Sequence, residues 1–339
     1  MTFFFKTSLF LLCALFFGGS PALFAQKISG SVRIKLPDSM ATGSREFSGL
    51  AISGDRLYFL GENRDDHLKA PTAGIYSIGL NELDACIGEA DREVSQYRFH
   101  PLSGIEKIQQ LRGYQGLEAL AFHGDRFFCT VETELFADSC FLVAGRRQGD
   151  GFWIDTSQIV ALEKPLLPNG DKVFNASFEA LAVLGDDLYA FFEFNGFARN
   201  YAYRIDTRTL QTDKIPLGRK IPFRLTDAVR WKDRRVLAIN YFFPLKAEAI
   251  YQDAATAEDR LLVQSRDKGE WHPFARLLVL KINRKKVKPK RYIAMPDEFW
   301  TTNWEGAALY KNGVLLVNDK FVKNGGRETQ LIYLHLGHK

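Results

Sequence analysis

The chain has 339 residues, 25% of them charged, and a net charge of +5. The basic excess is small and scattered apart from Arg284 to Lys290, which reads as a solvated hairpin tip and argues against a nucleic-acid partner. A chain of this length is either two ordinary domains or one large repeat architecture.

Residues 1–25 read as a signal peptide: a start carrying Lys6, an apolar stretch from Ser8 to Phe17 too short to span a bilayer, a Gly18–Pro21 turn and a small residue at Ala25. Cys13 follows Leu12, which argues against a lipoprotein anchor. Removing the leader takes away one charge, Lys6, and leaves residues 26–339 as a single domain with no further apolar run able to cross a membrane. The expectation is an exported monomer, periplasmic or secreted. Its three remaining cysteines are Cys86, Cys129 and Cys140, too few for a disulfide-built scaffold. A bridge between Cys129 and Cys140 is as open as two free thiols.

One pattern returns five times: a polar-to-small step, an apolar run, a Gly/Asp turn and a second apolar run. The copies are Ser48–Glu62, Glu118–Glu132, Glu179–Glu193, Asp227–Tyr241 and Glu305–Asp319, aligned without a gap. Each reads as a β-hairpin, apolar on both faces as a sheet between neighbouring sheets requires. Two further strands are expected after each of the first four: Gly74–Gly79 and Glu93–Phe99; Cys140–Arg146 and Gln158–Leu162; Tyr201–Asp206 and Thr212–Leu217; Arg276–Ile282 and Lys290–Ala294.

The last hairpin is followed by one strand, Gln330–Leu336, and Lys27–Leu36 is available to complete that sheet. Starts spaced 70, 61, 48 and 78 residues apart describe an all-β chain, a five-bladed β-propeller of four-stranded antiparallel blades, with six blades as the alternative. An insertion at 243–273, helical in composition over 247–262, is a surface loop or a lid.

Two columns of the repeat carry chemistry. The first holds Ser48, Glu118, Glu179, Asp227 and Glu305, each followed by a small residue: Gly49, Ala119, Ala180, Ala228 and Gly306. The second, fourteen residues on, holds Glu62, Glu132, Glu193, Tyr241 and Asp319. The hairpin geometry gathers both at one end of the central axis. Carboxylates so placed need protonation or a cation, and an all-oxygen donor set favours Ca²⁺ over Zn²⁺. The alternative is that the side chains tie blades together through backbone N–H groups and water.

Glu46–Ala51, Glu179–Ala182 and Trp304–Ala307 resemble the repeats of exported bacterial propellers called phytase-like ("esterase-like activity of phytase") and of SdiA-regulated proteins. The first column also resembles the calcium-activated nucleotidases (apyrases), in which a Ser, Glu, Glu, Ser, Glu ring holds one central Ca²⁺; Asp227 departs from that order.

The resemblance implies metal-dependent hydrolysis of a phosphoester or phosphoanhydride. Glu62 or Glu132 would orient or deprotonate water. Arg45, Arg64, Glu193, Arg224, Asp319 and Lys320 would meet a small anionic substrate. The other reading is a calcium-stabilised module that binds a glycan, peptide or envelope component without turnover. No Gly-x-Ser-x-Gly elbow, His-Glu-x-x-His helix or phosphate-cradling glycine loop appears, and the six histidines show no ligand spacing.

Overall fold

A computed structural model describes residues 27–41, 45–62, 73–89, 91–173, 176–196, 200–244, 256–264, 270–318 and 328–337. The leader, Arg64, Asp319 and Lys320 lie outside the described residues.

β2 (Phe47–Ser53), β3 (Arg56–Gly61), β4 (Gly74–Gly79) and β5 (Tyr97–Ser103) pair antiparallel in chain order. The same meander recurs in β6 (Tyr114–His123), β7 (Arg126–Thr133), β8 (Ser139–Gln148) and β9 (Gly151–Glu163). It recurs again in β10 (Ala180–Leu184), β11 (Asp187–Phe191), β12 (Tyr201–Asp206) and β13 (Thr212–Pro216). β14 (Arg224–Arg230), β15 (Arg235–Phe242), β16 (Phe274–Asn283) and β17 (Lys286–Ala294) follow suit. The last run is β18 (Trp304–Tyr310), β19 (Gly313–Asn318) and β20 (Leu331–Gly337), and β1 (Lys27–Ile34) adds to β20 as its fourth strand. The sequence-based expectation that the first strand completes the last sheet therefore holds.

Three of these sheets have four strands; β2–β5 and β6–β9 are joined into one of eight. That junction is a parallel contact of two residue pairs, Leu102 with Phe152 and Ser103 with Trp153. The first strands touch in a closed circuit, β2 to β6 to β10 to β14 to β18 and back to β2. Sheets radiating from such a circuit make a β-propeller.

The apolar pattern explains the packing. β3 and β4 are buried along almost their whole length, because each is covered by sheets on both faces. Outer strands such as β13 and β1 are largely exposed. The core is split into layers, one between each successive pair of runs. Phe128, Phe178 and Phe192 lie between the second and third runs, and Tyr241, Trp304 and Leu316 between the fourth and fifth. Burying one large apolar side chain such as Trp304 stabilises the fold by roughly 1.5–3 kcal/mol. Gly54, Gly124 and Gly185 start two-residue turns with φ of +60°, +62° and +69°, values that a side chain disfavours.

The alternative left open for the thiols is decided, and one expectation is corrected. Cys86, Cys129 and Cys140 are buried free thiols, so no bridge joins Cys129 to Cys140. The fourth hairpin also needs a gap. Its strands pair Arg230 with Val236 and Trp231 N donates to Arg235 O at 2.9 Å, leaving a three-residue turn, Lys232 to Arg234, where the first hairpin has two residues between Ser53 and Arg56.

The described part of the insertion forms α4 (Ala257–Val263), after α1 (Asp38–Ala41), α2 (Leu80–Gly88) and α3 (Ile105–Ile108). Thr256 caps α4 by accepting from Asp259 N at 3.1 Å. Asp259 pairs with Arg276 at 2.8 Å, both nearly fully buried, and Val263 joins Phe223, Phe242 and Phe274 in a small cluster. Phe223 precedes β14 and Phe242 ends β15, so α4 is fastened at the end of the fourth run where the acidic columns stand.

Candidate functional site at one end of the axis

Four of the five first strands carry bulges that take a column residue or its neighbour out of the ladder, and β10 pairs without one. Pairing skips Ser48 between Phe47↔Gly61 and Gly49↔Leu60, and Glu305 between Trp304↔Asn318 and Gly306↔Val317. On β6 it skips Glu118 and Ala119, and Ala119 N donates instead to Thr130 Oγ1 at 3.1 Å. On β14 the skipped residue is Thr226, between Leu225↔Asn240 and Asp227↔Ile239.

Thr226, not Asp227, therefore holds the place of Ser48 in the fourth copy. Hydrogen bonding agrees: Ser48 Oγ donates to Leu117 O at 2.8 Å, and Thr226 Oγ1 donates to Trp304 O at 2.5 Å. Leu117 and Trp304 each precede the next repeat's column residue, Glu118 and Glu305. Asp227 stands one step further, where the other copies have Gly49, Ala119, Ala180 and Gly306. Its assignment to the first column followed from the gapless alignment that the longer turn invalidates.

Glutamates of both columns converge. Burial pushes the Glu118 carboxyl well above the carboxylate range, and the charges of Glu62, Glu132, Glu179 and Glu305 push it further. Glu62, Glu118, Glu132 and Glu179 are all buried, and Glu305 accepts from Asn303 Nδ2 at 2.5 Å. The backbone of the second column staples neighbouring repeats: Leu117 N donates to Glu62 O at 2.7 Å and Leu225 N to Glu193 O at 2.8 Å.

Two cations enter this acidic region. Arg224 is buried, ion-paired through Nε to Glu193 and 3.5 Å from Glu179. It was expected to await a substrate anion, and here its partners are the protein's own carboxylates. Lys164, which the sequence reading missed, is buried beside Glu132 and donates to Thr133 O and to Glu134 O at 3.1 Å. Nothing in its local sequence, Glu163-Lys164-Pro165, marks it. Arg45 lies over the Tyr76 ring at 5.1 Å and donates to Ser39 O at 3.2 Å. Tyr241 is fully buried, in the layer with Trp304.

Among the described residues, no group of three or more His, Cys, Asp or Glu side chains is spaced to hold a metal ion. The donors available at this end are carboxylate and hydroxyl oxygens, and none of the described histidines joins them. Also among the described residues, no helix is long and apolar enough to cross a membrane.

No protein-family model matches the chain, and no curated protein does. Solved structures align along most of its length at low identity. An α-L-arabinofuranosidase from Clostridium thermocellum is 9% identical over 85% of this chain and 89% of that one, with a TM-score of 0.49. A PQQ-bound aldose sugar dehydrogenase from Streptomyces coelicolor is 13% identical over 93% and 99%, with a TM-score of 0.45. An endo-arabinase from Bacteroides thetaiotaomicron is 10% identical over 88% and 97%, with a TM-score of 0.46. Likeness at this level carries no statement about chemistry, which has to come from the site itself.

Proposed function

We propose that the chain is an exported five-bladed β-propeller that binds Ca²⁺ through Ser48, Glu118, Glu179, Thr226 and Glu305 and hydrolyses a phosphoester or phosphoanhydride in the phytase-like manner. The five-blade count treats β2–β5 and β6–β9 as separate blades. It is supported by the apolar layer that Tyr58, Leu117, Phe127 and Phe152 build between them.

The observation that carries the calcium reading is the crowding of Glu62, Glu118, Glu132, Glu179 and Glu305, with burial and mutual repulsion raising the Glu118 carboxyl. A cation would relieve that repulsion; the oxygen-only donors suit a hard ion in kind, and the side chains would have to draw closer together to hold it. Thr226 in place of Asp227 brings the column to Ser, Glu, Glu, Thr, Glu, nearer the hydroxyl pattern of the nucleotidases. Bound Ca²⁺ would offset charge on phosphate oxygens. Glu62 and Glu132 stand beside Glu118 and are the chain's groups for orienting water or taking its proton. Glu193, wholly buried against Arg224, is set aside from substrate contact.

That same pairing favours a second reading, a calcium-stabilised binding propeller without turnover, because it consumes the cation expected to hold a phosphate. Thermal unfolding of the mature protein in EDTA and in Ca²⁺, for wild type and Glu118→Gln/Glu305→Gln, tests the metal. A calcium-dependent rise in Tm that the double variant loses supports the ring, and no response in wild type removes it. Turnover on a phosphoester panel, abolished by the same variant, separates catalysis from binding.

A further inference from the structure

Asp227 breaks the rule of its position. The equivalent residues are Gly49, Ala119, Ala180 and Gly306, and space there is short. A Cβ on Gly49 would stand 2.8 Å from Leu120 N, and one on Gly306 would stand 2.8 Å from Leu50 Cβ and 3.1 Å from Leu50 N. Both vectors aim at the next repeat's backbone, two residues past its column residue.

The Asp227 side chain runs the same way and ends on hydrogen bonds. Oδ2 accepts from Ala307 N at 2.6 Å and Oδ1 from Ala228 N at 2.7 Å. Burial raises the Asp227 acid well above the ordinary carboxylate range, and the backbone N–H groups of Ala307, Ala228, Leu181 and Leu50 oppose that rise. Leu50, Leu181 and Ala307 hold one repeat position, two residues past Ser48, Glu179 and Glu305. One side chain is thus hydrogen-bonded to the first strands of two runs and faces the N–H groups of two more, which places it near the axis, and Asp227 is only 1% exposed. Several N–H groups converging on one point form an anion site.

We infer that the axial N–H groups of Leu50, Leu181, Ala228 and Ala307 form an anion-binding ring which the protein fills with its own Asp227 carboxyl group, and which takes a small free carboxylate once that side chain is removed. Asp227 is then a positioning residue for the acidic column: each N–H from another strand lies two residues from a column side chain, so the clasp sets their distance from the axis. The inference concerns backbone donors and stands whether or not the column binds Ca²⁺.

The test is chemical rescue of the mature protein in EDTA. Asp227→Gly, which installs the residue of the first and fifth copies, is melted in sodium chloride and in sodium formate at equal ionic strength. We expect a Tm lowered by about 5–10 °C in chloride. Formate should restore roughly half or more of the loss and saturate, as binding to the folded state alone requires, while leaving wild type unmoved. If the variant folds only when refolded in formate, the inference is equally supported. Asp227→Asn keeps the site filled, so it should melt below wild type and ignore formate. An Asp227→Gly protein that melts with wild type, or that responds to formate no more than wild type does, overturns the inference. So does failure to refold in either salt while Asp227→Asn melts with wild type.

Discussion

Arg224 and Glu193 form an ion pair in the interior of the propeller, with the Glu193 side chain wholly removed from solvent and Arg224 nearly so. Glu193 ends one hairpin and Arg224 begins the next, so the pair locks two successive repeats at the end where the acidic columns meet. A buried pair need not stabilise relative to an apolar one, but a half-pair is costly. Arg224→Met should lower stability by about 3–5 kcal/mol in urea unfolding. Adding Glu193→Gln should return much of that loss. Equal losses in the single and double variants would show that the two residues are not coupled.

The two hydroxyl members of the column make a matched prediction. Ser48→Ala and Thr226→Val each leave a buried carbonyl, Leu117 O or Trp304 O, without its side-chain donor. Each should cost about 1–3 kcal/mol, the penalty for an unsatisfied buried acceptor. Urea unfolding checks the size, and a Thr226→Val protein as stable as wild type would break the equivalence with Ser48.

A pH dependence follows from His100. Its Nδ1 bonds to Asp150 O at 2.6 Å and its Nε2 meets Ser77 Oγ at 2.6 Å, while Arg56 Nε donates to Ser77 Oγ at 2.8 Å. That chain suits a neutral ring with the proton on Nδ1. Burial, first, and the Arg56 and Arg98 charges hold the imidazole below its ordinary 6.5, against the opposing Asp150 carbonyl. The unfolded chain therefore binds the extra proton first. Stability attached to this group is complete above about pH 6.5 and is lost as pH falls from there towards the folded value. His100→Gln should flatten the decline in Tm between about pH 7.5 and 5 relative to wild type. Parallel profiles would refute the assignment.

The thiols give a redox prediction. Burial raises Cys86, Cys129 and Cys140 above the ordinary thiol value, with Cys129 moved furthest out of range. Thiolate, the reactive form, is suppressed at all three. A thiol reagent should titrate none of Cys86, Cys129 and Cys140 in the folded protein and all three in denaturant, and reductant should leave Tm unchanged. One thiol in denaturant, with Tm falling on reduction, would mean that a bridge forms.

Much of the fold was legible because the hairpins repeat a local code. Apolar runs around a Gly/Asp turn located β2–β3, β6–β7 and β10–β11, and Gly74–Gly79 and Tyr201–Asp206 match their strands residue for residue. Outer strands were placed less well. β9 begins at Gly151, well before the expected Gln158, because its early residues follow the β8 turn and touch β5, a contact that no local pattern announces.

The acidic column was legible by charge, and charge also misled. With Thr226 and Asp227 adjacent, charge selects the carboxylate as the column member, and only the pairing reveals the lengthened Lys232–Arg234 turn. The Arg224 and Lys164 contacts join residues from different repeats or distant strands, so spacing within one copy held no trace of them.

The seam between β1 and β20, from Lys27 opposite Gly337 to Ile34 opposite Leu331, has a consequence for how the molecule comes into being. Among the described strands β1 is made before all the others and its partner β20 after them, so this sheet cannot be completed until the other strands have been made. Such a distant pairing is slow to form, and a bare strand margin invites pairing with another chain. The latch that makes the finished ring seamless is thus also the step at which an escorting chaperone has most to protect.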